Sequence, residues 1–106
     1  MTVAHACRWD IWRLDDRHSK ENYVVLSPDP ILAAGGNLVC CPIGDQYVGE
    51  FTVQIQDKVG DYSPAFAIVP QLETFSPSQL QRKVGRLTHQ EIAAVETALR
   101  EYFLLF

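Results

Sequence analysis

His18, Lys20 and Glu21 put an imidazole, an ammonium and a carboxylate into one short polar segment between Asp15 and Asn22. A histidine and an acid in one flexible loop could do acid–base work on an RNA 2′-hydroxyl, though the same residues also suit a plain solvated loop. The dense basic cluster is Arg82, Lys83 and Arg86. It could meet an acidic peptide, an acidic target face or a run of phosphates, or it could be a solvated helix face compensating a helix dipole. The apolar ending Phe103-Leu104-Leu105-Phe106 either tucks under a sheet or offers an anchor to a partner. His89 reads as a surface residue at a helix start. No nucleotide-binding glycine loop, metal-ligand spacing or G-x-S-x-G nucleophile is present, so neither a metal nor a cofactor is implied.

The bulk numbers narrow what such residues can do. With 106 residues, 47% of them apolar, the chain is expected to be a single domain, 1–106, with one hydrophobic core. The formal charge of −4 has the wrong sign for holding a nucleic-acid backbone by general electrostatics. Any contact with nucleic acid would be local, and a protein partner is the easier reading. Cys7, Cys40 and Cys41 cannot pair evenly, and the adjacent two read as small buried hydrophobes. A reduced, cytoplasmic setting is expected. Neither a secretory h-region nor a membrane-length apolar run is visible.

The elements that must position the candidates are mostly strands. In R-W-D-I-W-R-L, Arg8 to Leu14, alternation sends Trp9, Ile11 and Arg13 one way and Asp10, Trp12 and Leu14 the other. Tyr23 to Leu26 is a second strand, stopped by Ser27-Pro28-Asp29-Pro30. Ile31 to Ala34 fits one helical turn before Gly35-Gly36-Asn37, and Leu38 to Ile43 fits a central strand buried on both faces. Phe51, Val53 and Ile55 alternate with Thr52, Gln54 and Gln56 as a half-buried strand. Asp57 to Pro64 is a loop, Ala65 to Val69 a strand, and Leu72 to Phe75 extends the sheet. Ser76-Pro77-Ser78-Gln79 carries a helix-start pattern, which predicts a short helix stopping near Gly85. Thr88-His89-Gln90-Glu91 is a second such box, followed by Ile92, Val95, Leu99 and Tyr102 at helical spacing. The expected class is α+β: a strongly bent antiparallel sheet or small SH3-like barrel of about five strands, with a C-terminal helix packed on it.

Two segments resemble the CcdB/MazF superfamily of bacterial toxins. The first, Trp9 to Ile43, reads W-D-I-W-R, then Y-V-V-L-S-P-D, a glycine turn and L-V-C-C-P-I. MazF-like (PemK, Kid) chains have G-E-I-W, V-V-S-x-D and an apolar strand ending in P-I. CcdB-like chains have F-D-V-Y-R, a strand before S-D-L-L, and V-V-V-P-L. The second segment, Val69 to Phe106, reads V-P-Q-L-E-T-F, then L-Q-R-K-V-G-R-L-T-H-Q-E and a closing helix. The resemblance implies the toxin of a toxin–antitoxin pair that functions in plasmid maintenance or growth inhibition. Its implied partner is a cognate antitoxin, met through Arg82, Lys83 and Arg86, and the toxin itself is a homodimer.

The two branches imply different chemistry. MazF-like toxins cut RNA with an arginine that precedes a proline before the second strand, and with a hydroxyl just after the P-I strand. Those positions carry Glu21-Asn22 and Gly44-Asp45 here. An arginine and aspartate used by some members fall near Ile68 and Pro70. None of these side chains repeats the family's phosphate chemistry. CcdB-like toxins lack that site and bind DNA gyrase through their C-terminus, which points to Phe103, Leu104, Leu105 and Phe106, although the Trp-Gly-Ile tail is absent. The sequence therefore favours a CcdB-like poison of gyrase. A MazF-like endoribonuclease with an altered site, using His18, Lys20 and Glu21, is the alternative. A non-toxic remnant that binds antitoxin is the third.

Overall fold

The computed structural model describes residues 5–15 and 20–104, with Lys20 described by its backbone alone. The strands are β1 (Asp10–Asp15), β2 (Lys20–Val25), β3 (Leu38–Gly44), β4 (Thr52–Gln54), β5 (Phe66–Ile68), β6 (Glu73–Phe75) and β7 (Leu80–Arg86). The helices are α1 (Asp29–Ala33) and α2 (His89–Leu104). All pair antiparallel in the order β4-β5-β3-β2-β1-β7, with β6 also on β3. On the side of β3 away from β2, β6 takes Leu38 to Cys40 and β5 takes Ile43 and Gly44. Two short strands thus share one long one in succession. The count is seven rather than about five.

The largest departure from expectation is β7, where a short helix was expected. The local signal is real: Ser76 N–H donates to Gln79 Oε1 at 2.9 Å, and Gln79 N–H to Ser76 O at 3.0 Å. It closes only a single 3₁₀ turn, Pro77–Gln79. From Leu80 the chain is extended and pairs with β1. Without β7, β1 would expose a row of unpaired N–H and C=O groups beside Ile11, Trp12 and Leu14, all buried. A cap contributes only about 1 kcal/mol, and a helix through Gly85 would lose roughly that much. The ladder wins.

Alternation on β1 feeds two cores. Trp9 and Ile11 enter a core with Val24, Cys41, Ile43, Val69 and the α2 residues Val95 and Ala98. Trp12 and Leu14 enter another with Tyr23, Val25, Leu38, Cys40, Leu32 and Phe75. Trp9 has φ +74°, at the point where the MazF pattern has glycine. A left-handed bulky residue costs roughly 1–2 kcal/mol, which burial of the ring offsets. The Arg8 guanidinium lies 4.7 Å over that ring.

The second helix-start box does open a helix. Thr88 N–H donates to Glu91 Oε1 at 2.7 Å, and Glu91 N–H donates to Thr88 Oγ1 at 3.2 Å. Ile92, Val95 and Leu99 of α2 pack into the first core, and Tyr102 meets Phe51 ring to ring at 5.4 Å. Phe51, Val53 and Ile55 face that core as the alternation predicts, but Thr52 is buried too, because its Oγ1 accepts the Val48 N–H at 3.3 Å. Among the described residues, no helix is long and apolar enough to cross a membrane.

Candidate functional site

Where the apolar stripe of β1 ends, Arg13 takes the next position on the same face as Trp9 and Ile11. Its register partners are Asn22 on β2 and Arg82 on β7. Two like charges directly opposite across a ladder are destabilising, and nothing in the fold requires them. Together with Glu21, Asn22, Tyr62 and Val84 they line an open cleft of about 300 Å³. Among the described residues, neither Arg13 nor Arg82 is engaged in an ion pair, in contrast to Lys83 and Arg86.

Irregularities in the β1–β7 ladder decide which basic residue faces where. The register slips between Ile11 and Trp12, and again between Arg13 and Leu14. Val84 and Gln81 are the extra residues on β7, so Arg82 and Lys83 oppose Arg13 and Trp12 on opposite faces. Lys83 and Arg86 then converge on Asp10, at 3.4 and 3.1 Å. Asp10 is 1% exposed, and its other oxygen accepts Cys7 N–H at 2.8 Å and Trp12 Nε1–H at 3.3 Å. Arg86 also donates to Arg8 O at 2.9 Å. The cluster Arg82, Lys83 and Arg86 is therefore not one helix face. It splits into a lone arginine at the cleft and a pair neutralised by a buried carboxylate.

The far wall of the cleft is the loop before β5. Val59 and Tyr62 exchange backbone hydrogen bonds at 2.9 and 3.0 Å around a tight turn, with Gly60 at φ +58°. A Cβ on Gly60 would come within 2.7 Å of Asn22 Nδ2, so this turn sits tightly against β2. Burial first, and then the negative charges of Glu21, Asp45 and Asp61, push the Tyr62 phenol above its usual range. One residue from each toxin-like motif pair, Glu21 of Glu21-Asn22 and Asp45 of Gly44-Asp45, therefore acts on the same hydroxyl. A Cβ on Gly44 would meet the tip of the Ile68 side chain, Cδ1, at 2.9 Å, so a hydroxyl-bearing residue there would have to displace that methyl group.

Residues 8–103 match the family of PemK-like, MazF-like toxins of type II toxin–antitoxin systems. The chain belongs to that family. Its fold is similar to an endoribonuclease in complex with its cognate antitoxin from Mycobacterial species, with TM-score 0.83 and 15% identity over 95% of this chain and 97% of that one. It is also similar to the Mycobacterium tuberculosis toxin MazF-mt6, at 0.73 and 20% over 89% and 93%. A chain of the MazE–MazF complex from Deinococcus radiodurans gives 0.74 and 16% over 97% of each. No curated protein matches the chain by sequence.

Membership in this toxin family corrects the branch favoured from sequence: the match is to the PemK/MazF side, not to CcdB-like gyrase poisons. The CcdB reading weighed missing residues at fixed sequence positions, whereas the cleft draws its guanidinium groups from β1 and β7. Of the residues first considered for acid–base work, Glu21 lines the cleft and Lys20 opens the backbone of β2. His18 lies outside the described residues. Phe103 and Leu104 are 59% and 79% exposed at the end of α2 rather than tucked under the sheet, and Leu105 and Phe106 lie outside the described residues. Arg13 and Tyr62 escaped the sequence reading. A charged residue continuing an apolar stripe was the available signal for Arg13, and nothing marked Tyr62. Among the described residues, no cluster of His, Cys, Asp and Glu is suited to a metal ion.

Proposed function

We propose that this chain is the endoribonuclease toxin of its toxin–antitoxin pair, working through a rebuilt site. The observation that carries the reading is Arg13 opposite Arg82, a repulsive cross-strand pair at an open cleft with Glu21 beside it. Such a conflict between local charge and fold is what an anion site looks like before the anion arrives. Two guanidinium forks suit a phosphodiester, holding its oxygens and stabilising the extra charge of a pentacoordinate phosphorus. Glu21 stands where the relatives' motif has arginine, while the guanidiniums of this cleft come from β1 and β7. The role of Glu21 is to take the proton of the attacking 2′-hydroxyl. RNA contact would be local to the Arg13–Arg82 pair, as a net charge of −4 requires, in a cleft that also carries the carboxylates of Glu21 and Asp61.

The test is direct. Purified protein incubated with single-stranded RNA should produce fragments ending in 2′,3′-cyclic phosphate and beginning with 5′-hydroxyl. Intact RNA after prolonged incubation with folded, antitoxin-binding protein would support the non-toxic remnant instead. We place the activity in the cytoplasm and pair it with a cognate antitoxin that covers the cleft through Arg82 and meets Lys83 and Arg86, half-exposed on the other face of β7, as a second contact. A homodimer, drawing on the exposed Ile31, Val39, Phe103 and Leu104, completes the proposal.

A further inference from the structure

Resting on the RNA-cleaving reading above, we propose that Tyr62 is a catalytic residue, the proton donor to the 5′-oxygen that leaves when RNA is cut in the cleft.

The placement comes first. Tyr62 packs against the first core while also lining the cleft, so one part of the ring is held by the protein and the rest faces the open space. Its turn is anchored by Val59, which is 2% exposed, and by the paired backbone bonds across the turn. Backbone bonds from Ile55 N–H to Ala65 O and from Ala65 N–H to Gln56 O, both 3.0 Å, tie the following residues to the segment after β4. Gly60 against Asn22 fixes the turn to the strand that carries Glu21. Tyr62 is therefore a rigid wall of the same cleft that Arg13, Glu21 and Arg82 line from the sheet.

The chemistry narrows the role. In-line displacement at phosphorus needs a base for the nucleophile and an acid for the leaving group, on different walls of the site. Arginine holds its protons too firmly to give one up. The phenol keeps its proton at neutral pH, helped by its burial and the surrounding carboxylates, and an alkoxide is basic enough to take it. In the step, the 2′-O–H bond breaks and its proton goes to the Glu21 carboxylate while the 2′-oxygen bonds to phosphorus. The P–O5′ bond breaks, its electron pair stays on O5′, and O5′ takes the proton of Tyr62. The products are a 2′,3′-cyclic phosphate and a 5′-hydroxyl. Solvent then returns a proton to the phenolate and removes one from Glu21, so no net proton is consumed.

The experiment compares two RNA substrates on the full chain, one with the natural P–O5′ bond and one with a P–S5′ bond, whose thiolate leaves without protonation. Tyr62→Phe keeps the ring and its packing, and its melting temperature is checked against the parent. Loss of a general acid should slow the oxygen substrate by about 100-fold or more. The sulfur substrate should be cut within a few-fold of the parent rate. Unchanged cleavage of the oxygen substrate by Tyr62→Phe overturns the assignment, as does equal slowing on both substrates. If the parent protein cuts neither substrate, the RNA-cleaving reading fails and takes this assignment with it, so the two failures are told apart by the parent control.

Discussion

The β1–β7 ladder carries two clusters of opposite charges a few residues apart, and they differ in how their charges are closed. At one end Asp10 is buried, and both of its oxygens are occupied, by Lys83 and Arg86 on one side and by Cys7 N–H and Trp12 Nε1–H on the other. At the other end Arg13 and Arg82 face each other, half-buried and exposed respectively, with Glu21 at the rim of an open cleft. The first cluster is satisfied within the fold and ties the N-terminal segment to β7. The second leaves its strongest donors waiting for an anion. Basic residues adjacent in sequence therefore divide between structure and function according to the face onto which a bulge turns them.

The largest expected effect falls on the open cluster. Removing both guanidiniums in Arg13→Ala/Arg82→Ala should lower RNA cleavage by about 1,000-fold, the scale of losing preorganised donors to a developing oxyanion. Relief of the like-charge pair should leave the melting temperature unchanged or slightly raised. The closed cluster should respond in the opposite sense. Asp10→Ala strands the buried Trp12 Nε1–H and the part-buried Cys7 N–H and frees two cations, and should destabilise the fold by about 3 kcal/mol in urea unfolding. If that variant melts like the parent, the contrast between the two ends is lost.

A smaller effect tests the two cores through the strand they share. Cys41 packs in the first and Cys40 in the second, and burial pushes both thiols up to about 12 from 9.0. Above pH 9 the unfolded chain loses these protons while the folded chain keeps them, so stability falls as pH rises. Between pH 9 and 12 the fall should approach about 1.4 kcal/mol per pH unit for each thiol, readable by unfolding at stepped pH. Replacing both by alanine should flatten that dependence. Smallest of all, Phe103→Gln should shift monomer stability by less than about 0.5 kcal/mol, since the side chain is 59% exposed. Sedimentation of the same variant reports whether this end of α2 joins two copies: an unchanged profile would place the contact elsewhere.

Much of the fold was legible because its signals are periodic or local. Alternation assigned the two faces of β1 correctly, and the Thr88–Glu91 box located the start of α2. Leu80 to Arg86 was misread because a real capping pattern preceded it, while the demand that overrode it came from β1, distant in sequence. The site was less legible for a related reason. Glu21 could be found by motif position, but Arg13 and Arg82 meet through a register that contains two slips, which no spacing rule foretells. Tyr62 enters through the packing of a turn against Asn22. A site assembled across strands is visible in the ladder, not along the chain.

Arg82 and Lys83 are consecutive, equally basic and on opposite faces of β7, which makes their comparison the sharpest test. Initial rates of RNA cleavage should be measured for Arg82→Ala and Lys83→Ala against the parent, at matched folded concentration. Arg82→Ala should lose about 100-fold or more, and Lys83→Ala should cut within two- or three-fold of the parent. Equal losses in the two variants, or the larger loss in Lys83→Ala, would contradict the division of the ladder into a closed structural end and an open catalytic one.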